Sequence, residues 1–212
     1  MNRQRIGCAI TAVVLAWLWP SGDVAIEPDG GPSREITRLA ELTHWKAGTI
    51  VADVGAGDGT YSFEAAERVG PAGRVYATEI DPEKLKNLTA EAAKRKLDNV
   101  IVVEGTAQDT KLPSSCCDTI FLRRVYHHLS EPQAFDRSLA RSLKPGAYLA
   151  IIDFAPDSGL PAVEGVPENR GGHGIPKKMM VAELTGAGLQ VEKVIDDWTA
   201  HDYCVIFVKR SS

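Results

Sequence analysis

Cysteine is scarce in this chain, and the few present are poorly placed for metal or disulfide chemistry. There are four in 212 residues: Cys8, Cys116, Cys117 and Cys204. No CxxC and no Cys/His ligand spacing occurs, so no zinc site or other metal site is expected. Cys8 falls in the N-terminal segment and is followed by a continued apolar run, unlike a lipid-attachment cysteine. The odd three that remain do not make a disulfide framework and read as small buried thiols. Positive charge is also short. Lys and Arg number 24 against 28 Asp and Glu, a net charge of -4. With no basic stripe and no aromatic face, nucleic acid is not an expected partner. The chain shows no internal repeat and no low-complexity segment.

The apolar run Ile6–Trp19 is 14 residues long, short of the ~20 needed to span a bilayer. Arg3 and Arg5 precede it, and Pro20, Ser21 and Gly22 end it. That pattern reads as a secretory signal peptide or a membrane anchor over residues 1–25. Cleavage after Ala25 would leave Asp23 where a small residue is wanted, so an uncleaved anchor stays open, as does a buried N-terminal helix. The expected location is exported, periplasmic or secreted, or membrane-anchored. Residues 26–33 read as a linker, and 34–212 as one domain long enough for a sizeable core.

Within that domain the chain alternates. Apolar runs of strand length occur at Thr49–Val54, Arg74–Thr78, Val100–Val103, Thr119–Leu122, Tyr148–Phe154, Val191–Ile195 and Tyr203–Val208. Helix-like stretches lie at 33–45, with Ser33 as a cap, and at 60–69, 82–96, 133–143 and 176–188. The expected fold is α/β: a doubly wound, mostly parallel seven-stranded sheet. The last two strands are joined too briefly for a helical crossover, which makes the last one antiparallel.

VADVGAGDGT, residues 51–60, places Gly55, Gly57 and Gly59 between the first strand and the next helix. Glycine there admits positive φ and lets a ligand touch the backbone, beyond the carboxyl ends of the strands. Glu79 ends the second strand 20 residues after Gly59. A carboxylate at that place accepts from ribose hydroxyls. Nicotinamide and S-adenosyl-L-methionine sites share this arrangement. GAGDG is not the G-x-G-x-x-G turn that seats a pyrophosphate, which favours S-adenosyl-L-methionine. Asp53 is placed for its ammonium.

VADVGAGDGTYS, VYATEID, EGTAQDTKLP, SSCCDTIFLRRVYHHL and RSLKPGAYLAIIDF follow one another in order. They resemble the five motifs of the class I S-adenosylmethionine-dependent methyltransferases, of the broad type 11 kind, over roughly residues 34–210. The resemblance implies S-adenosyl-L-methionine as cofactor. It implies that Gly55, Gly57 and Gly59 line the methionine moiety, that Glu79 holds the ribose and that Ile80 packs on adenine. It departs from the family in two places. Thr106, followed by Ala107, stands where an Asp often meets the adenine amino group; Thr106, the Ala107 backbone or Asp109 must take that task. Arg124 stands where relatives have Asp, Asn or Ser. It pairs with the cofactor carboxylate or an anionic substrate, or lies on the surface as Arg123 is expected to.

Methyl transfer from a sulfonium needs mainly positioning, and a base only where the acceptor carries a proton. In YHHL, His127 or His128 is a candidate base and Tyr126 a candidate for orienting the acceptor, with one histidine alternatively packed inside. Tyr61 is a candidate wall of the methyl pocket, or a first-turn aromatic on the sheet. The long Gly- and Pro-rich loop 155–178 reads as a lid over the acceptor, and its His173 as a lid residue or a solvent-exposed one. The expectation is methyl transfer to a small-molecule substrate. The alternatives are a non-catalytic cofactor-binding or partner subunit and a nicotinamide-dependent dehydrogenase.

Overall fold

The computed structural model describes residues 31–157 and 159–210. The expected signal or anchor segment and most of the linker lie outside the described residues. Seven strands form: β1 (Ile50–Val54), β2 (Arg74–Glu79), β3 (Val100–Glu104), β4 (Cys117–Arg123), β5 (Leu143–Phe154), β6 (Gln190–Ile195) and β7 (Asp202–Val208). The helices are α1 (Pro32–Leu42), α2 (Thr60–Val69), α3 (Pro82–Arg95), α4 (Pro132–Ser142) and α5 (Lys177–Gly186). The strands make one sheet in the order β3-β2-β1-β4-β5-β7-β6. β1 to β5 pair in parallel, and β7 runs antiparallel to both β5 and β6. The strand order reverses between β1 and β4, which leaves a crevice at their carboxyl ends.

Both faces of the sheet are covered, which is why its strands read as continuous apolar runs. Alternation along β1 divides the core. Val51 packs with Ile36 and Leu39 of α1 and Ala65 and Val69 of α2. Ala52 and Val54 pack on the other face with Phe135 and Leu139 of α4 and Met180 and Leu184 of α5. Leu88 and Ala92 of α3 close over Phe63 and Ala77.

Helix starts follow the chemistry at their first residues. Asp81 caps α3 by accepting from the backbone N–H of Glu83 and Lys84, with Pro82 in the first turn. Ser33 does not cap α1. The helix starts at Pro32 behind Gly31, because Pro is tolerated in a first turn, and Ser33 Oγ donates to Glu64 instead. The cysteine expectation also changes. Cys116 and Cys117 are bonded to each other, a cross-link between adjacent residues that closes no chain loop. Among the described residues Cys204 is the free cysteine, a buried thiol whose pKa is pushed up to about 12 by burial. Among the described residues, no helix is long and apolar enough to cross a membrane.

Candidate functional site

The carboxyl ends of β1, β2 and β4 open on a cavity of about 500 Å³. The three glycines of the β1–α2 turn do different things there. A Cβ on Gly55 would come within 2.5 Å of Val125 Cγ2, and one on Gly59 within 2.5 Å of Leu88 Cδ2 and 2.6 Å of Phe63 Cζ. Those two make room for the chain's own side chains. Gly57, at φ +59°, lines the cavity with nothing within 4 Å of where a Cβ would stand. Only there is space kept free at the backbone.

Glu79 closes this side. One carboxylate oxygen accepts from Gly57 N–H at 3.0 Å, and the other accepts from Ile80 and Asp81 N–H at 2.7 and 3.2 Å. Lys84 Nζ stands 4.0 Å away. Ile80, 60% exposed, presents an apolar side chain to the cavity. Thr106 and Ala107 line it from the turn after β3. The Thr106 hydroxyl is engaged in that turn, accepting from Asp109 N–H at 3.0 Å. Asp109 pairs with Arg141 at 3.0 Å, which holds its carboxyl below the usual range, and it is absent from the cavity wall.

The β4 side is built from long-range side-chain pairs. Arg124 sits at φ +55° and lines the cavity. Its guanidinium meets Asp202 in a two-pronged pair at 2.8 and 3.2 Å. Arg123 donates to Glu35 of α1 at 3.0–3.2 Å. Glu35, buried, also accepts from Tyr61 Oη at 2.7 Å and Trp198 Nε1 at 2.6 Å. After β4 the chain makes a single 3-10 turn over Tyr126–His128. Tyr126 points into the core, its hydroxyl 3.0 Å from both Asp136 oxygens and from Glu183. Burial pushes Asp136 up to about 7. His127 is buried, with Nδ1 2.8 Å from Asp153 Oδ1 and its backbone N–H donated to Oδ2 at 3.1 Å. His128 lines the cavity, and partial desolvation pushes its pKa down.

A model of a family described as a methyltransferase domain matches residues 45–191. The chain belongs to that family. A SAM-dependent methyltransferase from Aquifex aeolicus shares 30% identity and a TM-score of 0.70, over 85% of this chain and 94% of that one. Nocamycin O-methyltransferase of Saccharothrix syringae is 32% identical over 58% of this chain and 44% of its own length. A demethylmenaquinone methyltransferase of Listeria monocytogenes is 29% identical over 53% and 48%. The chain spans about half the length of the curated relatives it matches.

In this methyltransferase domain the structure brings together around one cavity Gly55, Gly57, Glu79, Ile80, Thr106, Ala107, Arg124 and His128. Four expected site residues, and His127, fall elsewhere. Asp53 turns into α2 because β1 alternates, and it accepts from Ser62 Oγ at 2.6 Å; burial pushes it up to about 7. Gly59 is buried behind the turn against Phe63 and Leu88. Tyr61 is engaged by Glu35, with burial raising its phenol. Tyr126 is in the core, again with its phenol raised by burial. Arg123 is not a loop residue at the surface but the partially buried link from α1 to β4.

Glu35, Asp153, Trp198 and Asp202 were missed. Asp153 is the acid next to the end of the apolar run IIDF, one residue short of where Glu79 stands in its own strand, and a similar signal could have found it. Asp202 begins an antiparallel strand, which puts it at the edge where the parallel strands end. Glu35 offers no such signal, since an acid in a first helical turn usually faces solvent.

Proposed function

We propose that the chain transfers a methyl group from S-adenosyl-L-methionine to a small-molecule acceptor. The observation that carries the reading is the pairing of Glu79 with Gly57 across the cavity floor. A ligand resting there meets a carboxylate able to accept two hydroxyl hydrogen bonds, a backbone free of side chain, and the apolar Ile80. Those are the requirements of a ribose, an amino-acid tail and an adenine, so the residues present fit the group. Gly55 and Gly57 would face the methionine moiety, Glu79 the ribose, Ile80 the adenine face and the Ala107 backbone its edge. When bound, S-adenosyl-L-methionine supplies an electrophilic methyl group already activated by its sulfonium. The chain's own share is to hold the acceptor in line and to exclude water.

His128 on the cavity wall and His127 behind it are the groups able to take an acceptor's proton. The two departures from the family pattern have partners within the chain. The Thr106 hydroxyl serves its own turn, and Arg124 is neutralised by Asp202. Both therefore weigh less for a non-catalytic subunit. The small-molecule acceptor agrees with the names of the O-methyltransferase and quinone methyltransferase relatives. Calorimetry on the full chain tests the reading. Saturable heat with S-adenosylmethionine and S-adenosylhomocysteine is expected. Silence with both, alongside binding of a nicotinamide cofactor, would return the site to a dehydrogenase.

A further inference from the structure

His173 sits inside a cluster of aromatic rings although it belongs to the excursion between β5 and α5. Its imidazole lies 5.3 Å from that of His127 with the planes 29° apart, 5.7 Å from Phe154, and 6.3 Å edge-on from His128. Those separations match ordinary aromatic packing. The ring is tied only to its own excursion, through Nδ1 to the Pro161 carbonyl at 2.9 Å. The cluster adjoins the cavity through two shared residues. His128 lines the cavity, as does Arg124, whose guanidinium lies 5.6 Å over the Phe154 ring.

His127 carries the second observation. The Asp153 carboxylate can only accept from Nδ1–H, so a neutral imidazole here carries its lone pair on Nε2. That Nε2 is buried and has no hydrogen-bond partner. An orphan of this kind calls for an explanation. Asp153 is itself fully buried and also accepts from the backbone N–H of His127 and Phe154, so the imidazole is fixed in place. His128 has no such carboxylate.

Resting on the methyl-transfer reading, we propose that His127, His128 and Phe154 form the seat of a planar hydroxylated aromatic acceptor, whose ring takes the place held here by His173, and that His127 Nε2 receives the proton of its hydroxyl. The acceptor's O–H bond breaks, with the proton passing to Nε2. The oxygen's electron pair forms the new bond to the methyl carbon, whose bond to sulfur breaks with its pair left on sulfur. The proton leaves Nε2 for solvent when the excursion lifts. Asp153 is a positioning residue that stabilises the transient imidazolium, and His173 is the occupant that must yield.

The test uses the full chain with 2-naphthol as probe and naphthalene as its hydroxyl-free counterpart. His173→Gly is expected to tighten 2-naphthol binding about tenfold while S-adenosylhomocysteine affinity stays unchanged; Phe154→Ala weakens naphthol binding by a similar factor. In nitrogen NMR the His127 Nε2 resonance shifts with 2-naphthol and not with naphthalene. Unchanged, weaker or absent naphthol binding in His173→Gly overturns the seat. With 2-naphthol as acceptor, His127→Asn should lower kcat a hundredfold or more and remove the rising limb of the pH profile. His128→Asn should keep that limb, and the reverse result overturns the assignment of the base. Asp153→Asn should move the limb to lower pH; a loss of melting temperature alone would deny it the positioning role. Naphthol binding is read separately from S-adenosylhomocysteine binding, so loss of the latter in the unaltered chain refutes the methyl-transfer reading and not the seat.

Discussion

On the β2 side of the cavity, the wall is set by backbone amides gathered around one carboxylate, Glu79, within a few residues of where the chain turns. On the β4 side it is set by side chains that meet across 78 to 163 residues of sequence: Arg124 with Asp202, Arg123 with Glu35, Trp198 with Glu35. A wall of the first kind tolerates change elsewhere in the chain, because its donors are main-chain groups. One of the second kind depends on four elements docking together, so losing a single partner leaves a buried charge without its counter-ion.

Removing Glu35 tests that difference most strongly. Glu35→Ala strands Arg123, Tyr61 and Trp198 at once. Breaking a buried pair costs about 3–5 kcal/mol, and denaturant unfolding should register a loss of that size. A loss below about 1 kcal/mol would make the network no more than a surface pair. Next comes Asp53, a side-chain pair on the otherwise main-chain side. Its folded pKa of about 7 exceeds the ordinary carboxylate value, so the folded state binds the proton more tightly. Stability should fall as pH rises from about 4 to about 7 and level off above. Three units correspond to at most roughly 4 kcal/mol. Asp136, also raised to about 7, contributes with the same sign. Asp53→Asn should therefore remove about half of the fall, and melting curves across that pH range would show it.

Glu79→Ala should weaken S-adenosylmethionine binding at least tenfold and approach a hundredfold, because even one hydrogen bond to a charged acceptor is worth about 1.5–3 kcal/mol. Circular dichroism should still report a folded chain. An unchanged dissociation constant would place the ribose elsewhere. The smallest effect on the cofactor belongs to Arg124→Met. Arg124 is 43% exposed but its partner Asp202 is fully buried and keeps only Arg123 at 3.7 Å and Thr199, so stability should fall by about 1–3 kcal/mol while cofactor affinity changes by no more than about threefold. A tenfold weakening of the cofactor would mean that Arg124 serves the ligand's carboxylate rather than Asp202.

The same division decides what could be read from the sequence. The seven strands, the glycine turn and Glu79 were legible because they rest on local patterns: apolar runs, turn residues, and an acid at a strand end. Even there the outcome is mixed, since alternation along β1 carries Asp53 to the α2 face and packing dictates Gly59, while Gly55 both lines the cavity and clears Val125. The β4 side was largely illegible. Nothing local tells that Glu35 is buried, that Tyr126 points inward while His128 faces the cavity, or that Arg124 has a partner in β7. Those facts are set by register between strands distant in the chain, such as Phe154 opposite Asp202.

The excursion between β5 and α5 leaves and re-enters the fold at almost one point. Asp157 N–H meets the His173 carbonyl at 2.9 Å, Ile175 N–H meets the Phe154 carbonyl at 3.0 Å, and Tyr203 Oη holds the Ile175 carbonyl at 3.0 Å. A segment pinched at its base transmits little of its own length to the sheet, and each doubling of a flexible loop costs only about 0.6 kcal/mol. The excursion is therefore an exchangeable cassette. Longer or shorter versions that keep a cation for Glu183, as Arg170 supplies here, can be grafted between Phe154 and Ile175 without moving a strand, so the breadth of acceptors can diverge while the cofactor floor stays as it is.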